Sequence, residues 1–466
     1  MAATQVPRPR FALLRLAPAS IAFIVMSICS VASAFGAITL SGTKTGVALA
    51  LGAAAGPFAL YGALLAPLVF PFTFFIFLVP FDNLLAMPTF GTLTRALAIA
   101  CGGSLVFWLL RTRRIVAPDR ALVVWLLFYA WALASAMWAI DPGASYAHLF
   151  TLFQLMALYA VASLMPVGTA TLRIIVIAVI LSGAAAGTYG AYLFHHGIDI
   201  SKNGRLFIAN DENVVDPNQF AAALILPLLL AIAGIVYSKG FLARVFLGGS
   251  IVAMGAGVAV AGSRGGLLAL GAAIAYLLVR SSRNRFQIIA LGIGGIGVAI
   301  AAYGNVISRF SNAASSGGAG RSEIWRVGLS ALRDHFWFGA GFSNFPLAFD
   351  RAFLSVSESY YTHWHRAPHS ILISTSVELG IVGLGILVFA WWTQFRSLSA
   401  IDPAHWLFPL RTAIEASIIG LFVAALFLDV MTTKYLWLAF ITCALLRNAT
   451  LNKQGLPHEN RVSSLL

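Results

Sequence analysis

Long apolar runs, separated by short polar segments, fill most of the chain. A run of about 17–25 apolar residues is long enough to cross a bilayer as an α-helix. Fourteen such runs lie at residues 17–38, 46–62, 64–81, 92–110, 121–139, 144–165, 171–194, 217–237, 243–262, 264–280, 286–303, 370–394, 411–429 and 431–447. The pattern predicts an all-α polytopic membrane protein with about fourteen (12–14) transmembrane helices. Two alternatives stay open for 46–81, two short helices or one helix with a re-entrant segment, because prolines interrupt it.

The basic residues indicate how these helices are oriented. Lys and Arg are enriched in the cytoplasmic loops of membrane proteins. With the N-terminus placed in the cytoplasm, 18 of the 30 basic residues fall on the cytoplasmic side. Of the other 12, eight lie in two exterior loops, 195–216 and 304–369. We therefore expect both termini in the cytoplasm, and the arginines of these two loops require a reason other than orientation.

The composition agrees with a membrane protein and argues against other classes. Hydrophobic residues make up 60% of the chain and charged residues 10%, whereas soluble domains carry about 25% charged residues. The net charge of +14 follows from the cytoplasmic bias of basic residues, so no nucleic-acid partner is predicted. The three cysteines fall in apolar runs and predict no disulfide framework.

The second exterior loop, about sixty-five residues long, is too long to be a simple connection. We expect it to fold on the membrane surface. Its segment RSEIWRVGLSALRDHFWF predicts an interfacial amphipathic helix. One face of that helix carries Trp325, Leu329, Leu332 and Phe336. The following GAGFSNF predicts a turn in which glycines allow two backbones to approach closely.

Three arginines of the exterior segments are candidates for binding an anion. Arg321 follows the glycine-rich SSGGAG at a predicted helix start, where free backbone N–H groups and a forked cation suit a phosphate. Arg205 lies in the first exterior loop, and Arg264 lies at the outer mouth between two spans. The alternatives are solvated loop arginines or lipid headgroup contacts for Arg205 and Arg321, and a structural anchor for Arg264.

Three of the nine histidines lie in the stretch HWHRAPHS. His369 follows Pro368 and precedes Ser370, which is suited to cap the next span, so we expect His369 just outside that helix. Its imidazole suits general-base work near neutral pH. A metal site with His363 and His365 is an alternative, but the segment supplies no carboxylate or cysteine partner, and no metal is predicted. The third alternative is a loop histidine without a role.

Two acidic residues, Glu378 and Glu415, fall inside predicted spans. Intramembrane acids often mark ion pathways, so a transporter or flippase is an alternative from a different functional class. Transporters more often place charges and broken helices at the middle of the membrane. In this sequence the charges gather on the exterior side instead.

Several motifs together resemble the domain shared by bacterial O-antigen ligases and the related O-antigen and exopolysaccharide polymerases. In chain order they are ASAMWAIDPGASY, VVDPNQFAAALILPLLL, AGSRGG, GRSEIWRVGLSALRDHFWFGAGFSNF and PHSILISTSVELGIVGL. Each motif alone is weak, but their order, spacing and place on exterior loops are specific, mainly between residues 200 and 385. The usual His-Asn-x-x-Leu of the family reads His-Ser-Ile-Leu-Ile here, which keeps His369 and puts Ser370 in the place of the Asn.

The resemblance implies a metal-independent, inverting glycosyltransferase of the bacterial inner membrane, with its active site at the periplasmic face and no cofactor. The donor would be a glycan on undecaprenyl diphosphate, and the acceptor a hydroxyl of a glycan or of lipid A core. Membrane lipids and, for a polymerase, a chain-length regulator would be partners. By motif position the resemblance implies diphosphate binding for Arg205 and Arg321 and the role of general base for His369. We add Arg264 as a further candidate for diphosphate binding, and Ser370, Arg326 and Glu378 as candidates for supporting roles.

The predicted organisation has four parts. N-terminal transmembrane helices occupy 1–199, the ligase-like catalytic region 200–394, C-terminal transmembrane helices 395–447 and a cytoplasmic tail 448–466. Fourteen spans and a large exterior loop favour a polysaccharide polymerase. An O-antigen ligase that joins the glycan to lipid A core is the close alternative.

Overall fold

The computed structural model describes residues 62–87, 91–198, 206, 208–210, 213–280, 286, 321–356 and 366–452. In chain order its α-helices are α1 Phe72–Leu78, α2 Leu93–Thr112, α3 Arg120–Ser135, α4 Pro142–Ser163, α5 Thr169–His195, α6 Pro217–Ala223, α7 Ile225–Tyr237, α8 Phe241–Ala261, α9 Arg264–Arg280, α10 Arg321–Asp334, α11 Phe345–Val356, α12 Ile371–Arg396, α13 Phe408–Ala425 and α14 Lys434–Asn452. A 3-10 helix covers Val79–Leu85, and two small antiparallel hairpins pair β1 (Ala86–Met87) with β2 (Gly91–Thr92) and β3 (Ile208–Asn210) with β4 (Asn213–Val215). The predicted all-α class is confirmed.

Seven helices of the described residues are long and apolar enough to cross a membrane: α2, α4, α5, α6 with α7, α8, α12 and α13. The chain is thus a polytopic membrane protein, and its described part contains seven such spans, fewer than the fourteen predicted. An apolar run shows composition and not helix continuity, so α1 and α3, with 7 and 16 residues, are shorter than their runs. Helix α9 covers the whole of its 17-residue run. The predicted spans 17–38, 46–62 and 286–303 lie almost entirely outside the described residues.

The helices run up and down, so their ends gather at two opposite faces of the bundle. Helices α2, α4, α6, α9, α12 and α14 begin at one face, here called the site end. An ion pair between Lys434 and Asp82 joins the start of α14 to the 3-10 helix there. At the opposite end, Val116 N donates to the Leu164 carbonyl oxygen (3.0 Å). All the candidate residues described below, except Arg326 and Glu415, lie near the site end.

Close packing of α5 against α8 depends on small residues. A Cβ added at Gly187 would lie 2.3 Å from the Ala253 carbonyl oxygen, and one at Gly257 would lie 2.8 Å from Gly187 Cα. Small residues let membrane helices approach closely where polar side chains are scarce. This contact fixes the end of α8, from which the chain passes directly into α9 and its first residue, Arg264.

Helix α10 confirms the predicted amphipathic helix, but its buried face is not the predicted one. The buried residues are Ile324, Val327, Gly328 and Ala331, and they pack against α11 and α12. Leu329 and Phe336, both on the predicted apolar face, are exposed. Trp325 and Leu332, also on the predicted face, are partly buried and pack against the same cluster. The buried surface of α10 is therefore broader than predicted, and its centre lies to one side of the predicted face.

Helix α12 is broken at Gly380, where φ is 67° and ψ is −173°. The chain between α10 and α11 fills the break with its own backbone. Three hydrogen bonds join the two segments: Ala340 N to Val377 O (2.8 Å), Gly341 N to Glu378 O (2.9 Å) and Ile381 N to Phe336 O (2.8 Å). A Cβ added at Gly339 would lie 2.2 Å from the Glu378 carbonyl oxygen, so the predicted turn with close backbone approach is confirmed.

Replacement of Gly380 by alanine should destabilise this joint. The backbone conformation at Gly380 is open to glycine almost alone, which costs another residue about 1–3 kcal/mol, and the added Cβ would lie 2.2 Å from the Trp337 carbonyl oxygen. We expect the thermal unfolding midpoint of the purified Gly380→Ala protein to fall. Gly385→Ala lies on the same helix with nothing within 4 Å of its Cβ, so its midpoint should not fall. An equal fall in both variants would contradict a specific role for the break.

Candidate functional site

His369 lies directly before α12 in a conformation that few residues adopt. Its φ is +46°, and non-glycine residues with positive φ are uncommon and cluster at functional sites. The chain on both sides holds it: Trp325 Nε1 donates to the Pro368 carbonyl oxygen (3.2 Å), and Ser374 N donates to the Ser370 carbonyl oxygen (2.9 Å). Ser370 occupies the N-cap position of α12, although its side chain makes no capping hydrogen bond. The expected position of His369 outside the helix is confirmed.

Arg321 begins α10 and is positioned by an aromatic ring. Its guanidinium lies over the Phe427 ring, 5.9 Å from the centroid. Trp325, one turn further along α10, stacks on the same ring with centroids 6.4 Å apart. Phe427 follows α13, so it connects the start of α10 with the end of a spanning helix. The arginine is half-buried, and the cation–π contact restricts where its guanidinium can point.

Arg264 begins α9 and lies close to Arg321. Phe427 again makes the connection, since a Cβ added at Gly265 would lie 3.4 Å from Phe427 Cβ. The two arginines interact electrostatically, because the charge of Arg264 contributes to a lowered pKa of Arg321. Two positive charges held near each other create a local positive potential, which favours the binding of an anion.

Asp216, at the N-cap of α6, is a site residue to which the sequence analysis assigned no role. Its carboxylate accepts hydrogen bonds from Asn218 N (2.7 Å) and Asn218 Nδ2 (2.8 Å). The Asn218 side-chain oxygen accepts one from Ser263 Oγ (2.7 Å), which in turn accepts one from Gly266 N (3.0 Å). This relay fastens the VVDPNQ motif to the AGSRGG motif. Only the fold reveals it, because the two motifs are 45 residues apart in the chain.

The charges around His369 keep its imidazole neutral. Burial lowers the pKa of His369 first, and the cations Arg321 and Arg366 lower it further, while the carboxylate of Asp216 opposes them. Burial also lowers the pKa of Arg321, again opposed by Asp216 and assisted by Arg264. Five ionisable groups from four segments of the chain therefore share one region. A neutral imidazole can accept a proton there, and the cations beside it can bind a negative group.

A second carboxylate, Asp429, lies at the site end in the loop between α13 and α14. Its side chain is open to solvent, yet burial among the surrounding atoms raises the pKa of its carboxyl. Tyr435 lies within electrostatic range of Asp429 and Asp216. The Tyr435 hydroxyl is buried and lies within side-chain hydrogen-bonding range of Thr433.

The other predicted residues lie further from this group. Glu378 is buried in α12, where its carboxylate accepts a hydrogen bond from Phe345 N (3.3 Å) and so connects α12 to α11. Arg326 is exposed on α10. Glu415 forms an ion pair with Arg411 (2.7 Å) and accepts a hydrogen bond from the Tyr276 hydroxyl (2.7 Å). Glu378 and Glu415 both have structural partners.

Three candidates, Arg205, His363 and His365, lie outside the described residues. The residue after Arg205 is placed: Leu206 is buried and its N–H donates to the Val260 carbonyl oxygen (3.3 Å), near the end of α8. Within the described part of the chain, no three His, Cys, Asp or Glu side chains come together in an arrangement suited to a metal ion. That statement does not cover His363 and His365, which lie outside the described residues.

Comparison with known families matches the part of the chain that carries several of these residues. Residues 249–388 match the family model described as O-antigen ligase, and the matched segment contains Arg264, Arg321 and His369. No curated protein is significantly similar to the chain. The chain is therefore a multi-pass membrane protein that carries an O-antigen ligase domain at residues 249–388, the domain of ligase- and polymerase-type membrane glycosyltransferases.

Proposed function

We propose that this protein is an inverting, metal-independent glycosyltransferase of the bacterial inner membrane. It transfers a glycan from undecaprenyl diphosphate to a sugar hydroxyl at the periplasmic face. The observation that carries the proposal is the placement of Arg321 near the imidazole of His369, with Arg264 near Arg321. A diphosphate leaving group requires fixed cations, and a hydroxyl nucleophile requires a base. The cations and the base must be close enough to act on the same anomeric carbon.

The arginines act on the donor. As the bond between the anomeric carbon and the diphosphate oxygen breaks, its electron pair moves to that oxygen and the negative charge grows. Guanidinium groups that are already in place stabilise this charge without rearranging, and their forked N–H donors match phosphate oxygens. Arg321 and Arg264 supply two such groups, and Arg205 is proposed as a third.

His369 acts on the acceptor. Its imidazole accepts the proton of the acceptor hydroxyl while the hydroxyl oxygen attacks the anomeric carbon from the side opposite the diphosphate, which inverts the configuration. The charge on the histidine is then released as a proton to solvent. Ser370 and Asp216 hold the ring in place, Ser370 through the backbone of α12 and Asp216 through its charge.

The acceptor sugar is proposed to enter beside Asp429 and Tyr435. Sugars present many hydroxyl groups, and the hydroxyl of Tyr435 and the carboxylate of Asp429 provide a donor and an acceptor for them. Both groups lie at the site end and interact electrostatically with each other, and Tyr435 also interacts with Asp216.

The orientation in the membrane follows from the cations at the opposite end. Four arginines lie at or near the connection between α2 and α3: Arg111, Arg113, Arg114 and Arg120. Arg396 is the last residue of α12, and Arg447 lies near the end of α14. Basic residues accumulate on the cytoplasmic side. We therefore place that end, and both termini, in the cytoplasm and the site end in the periplasm.

Polymerisation is the role that we favour, and ligation to lipid A core is the alternative. A deletion strain separates them. A polymerase deletion should leave single repeat units on the lipid carrier and no long chains, whereas a ligase deletion should accumulate long lipid-linked chains. Gel analysis of lipid-linked and surface glycan would show which pattern occurs, with the wild-type gene restored as control. Normal surface glycan in the deletion strain would contradict both roles.

A further inference from the structure

A patch of large apolar side chains lies just beyond the last turns of α3 and α10, beside the break in α12. This patch, here called the aromatic corner, consists of Trp131, Met137, Trp138, Phe336, Trp337 and Phe338. Met137 is 85% exposed and Trp337 is 62% exposed. The rings of Trp131, Trp138 and Phe338 pack against one another, with centroids 5.8, 5.9 and 6.0 Å apart. A contiguous exposed surface of this kind marks a place of interaction.

The helices below the aromatic corner measure its depth in the membrane. Helices α3 and α12 meet at the face opposite the site end, where the Ser397 hydroxyl, just after α12, donates to Asp119, the N-cap of α3. From that face α3 extends to Ser135 and the unbroken part of α12 extends to Ile381, each a distance of about 22 Å. The hydrocarbon core of a bilayer is about 30 Å thick. Both helices therefore stop about 8 Å before its far side.

The residues at that face show where the count begins. Arg396, the last residue of α12, lies over the Trp392 ring, 5.6 Å from the centroid. Both side chains are exposed. Tryptophan is typical of the membrane–water interface, and basic residues near helix ends reach the headgroups. This end of α12 therefore lies at one membrane surface.

The aromatic corner lies at the level where α3 and the unbroken part of α12 stop. The Phe336 carbonyl oxygen accepts a hydrogen bond from Ile381 N (2.8 Å), and Ser135 Oγ accepts one from Phe342 N (2.9 Å). The chain from Phe336 to Phe342 thus continues the protein where the two helices end. It completes the crossing that the 16 residues of α3 are too few to make, because a spanning helix needs about 20.

Helix α10 descends to the aromatic corner beside the first half of α12. Trp325 bonds to Pro368, before α12 begins (3.2 Å), and eleven residues later Phe336 bonds to Ile381, beyond the break (2.8 Å). The two segments therefore run in the same direction. The exposed charges in the last turn of α10, Arg333–Asp334, lie about 3–5 Å above Phe336. They are near the edge of the hydrocarbon core, whereas the aromatic corner lies within it.

The polar groups of the aromatic corner have the partners that hydrocarbon demands. Non-helical backbone is tolerated at membrane depth only where the protein satisfies its hydrogen bonds. Trp131 Nε1 donates to the Leu379 carbonyl oxygen (3.0 Å), and Trp138 Nε1 donates to the Phe338 carbonyl oxygen (3.1 Å). Both indole N–H groups thus bond to the backbone of the break and the turn. The exposed surface that remains is apolar.

We infer that the aromatic corner is immersed in the membrane leaflet at the site end, where the acyl chains of bilayer phospholipids cover it. Its surface is continuous with the exposed apolar side of α12 below the break, which includes Val382 and Phe389 and which a spanning helix presents to lipid. The immersion holds His369, twelve residues before Ile381, about 18 Å further out, near the level of the headgroups. The diphosphate of a lipid-linked donor lies at that level, a consequence that rests on the proposed function.

Electron paramagnetic resonance of spin-labelled protein in phospholipid bilayers tests the immersion. Oxygen concentrates in hydrocarbon and a nickel chelate in water, so the ratio of their collision rates with the label reports its depth. Labels are attached at Trp337→Cys and, on the other segment, at Met137→Cys. The signal of labelled wild-type protein is subtracted to account for the native cysteines, of which Cys101 and Cys443 are buried. We expect oxygen to collide more often than the chelate at both positions.

Two further labels calibrate the measurement. Phe389→Cys lies on the exposed side of α12 below the break and should give the ratio typical of hydrocarbon. Arg326→Cys is exposed on α10, about 15 Å above Phe336, and should give the ratio typical of water. The inference is overturned if the label at Trp337 or Met137 matches the one at Arg326. It is also overturned if either label excludes both reagents, since protein would then cover the corner. Glycan transfer is not measured, so these outcomes do not depend on the proposed function.

Discussion

Replacing His369 with alanine is expected to lower the rate of glycan transfer by a factor of about 10²–10⁴, the usual contribution of a general base. The acceptor hydroxyl would keep its proton, and the lipid-linked donor would accumulate in cells. The measurement is the initial rate of transfer from a purified undecaprenyl-diphosphate glycan. His196→Ala is the matched control, since His196 is an exposed histidine at the site end whose ring contacts the carbonyl oxygen and the ring of Tyr192 in its own helix. If both variants lost the same share of the transfer rate, His369 would not be the general base.

The pH dependence of kcat/KM tests the same assignment in a way that a structural role would not reproduce. Because burial, Arg321 and Arg366 lower the pKa of His369, the rate should fall with acid only below the ordinary histidine value of about 6.5. Asp216→Asn removes the charge that opposes this shift, so the fall should move to lower pH. Arg366→Gln removes a cation that lowers the pKa, so the fall should move to higher pH.

These two variants shift the profile in opposite directions, which is the decisive feature. Asparagine caps helices as well as aspartate does, so Asp216→Asn should keep the start of α6 intact. A shift in the same direction for both variants, or an unchanged profile, would show that another group limits the rate in acid.

Replacing Arg321 with alanine is expected to lower transfer by a factor of about 10²–10³, the loss typical when one preorganised donor to a developing anion is removed. The guanidinium is held over Phe427 near Arg264. Water that filled its place in the variant would stabilise the charge on the leaving diphosphate less well. Arg321→Lys should recover only part of the rate, since an ammonium lacks the planar fork that matches a phosphate. The rate and the donor concentration at half-saturation should both be measured.

Arg333→Ala provides the control for Arg321, because Arg333 is an exposed arginine in the last turn of the same helix. We expect it to transfer glycan at close to the wild-type rate. If Arg333→Ala falls as far as Arg321→Ala, the effect belongs to the helix or to general charge. If Arg321→Ala is fully active, the diphosphate does not bind at this arginine.

Parts of this protein follow from local sequence. Apolar runs and the period of α10 are local patterns, so the helical class, the membrane location and the helix after SSGGAG were predictable. The same is true of the position of His369, because Pro368 and Ser370 mark the helix start next to it. The number of spans was not predictable in this way. Hydropathy does not show where a helix stops, as the seven-residue α1 after Pro71 demonstrates.

The sequence by itself determined which residues are chemically able to act and at which end of the helices they lie. The tertiary structure alone decided how they combine. Contacts between distant segments place Asp216 on a hydrogen-bonded relay to Ser263, seat Arg321 on Phe427 and open α12 at Gly380 for the incoming turn. They also determine which residues of α10 are buried. The physical reason is that each of these features depends on groups brought together by packing, and no local pattern records which partner a residue will meet.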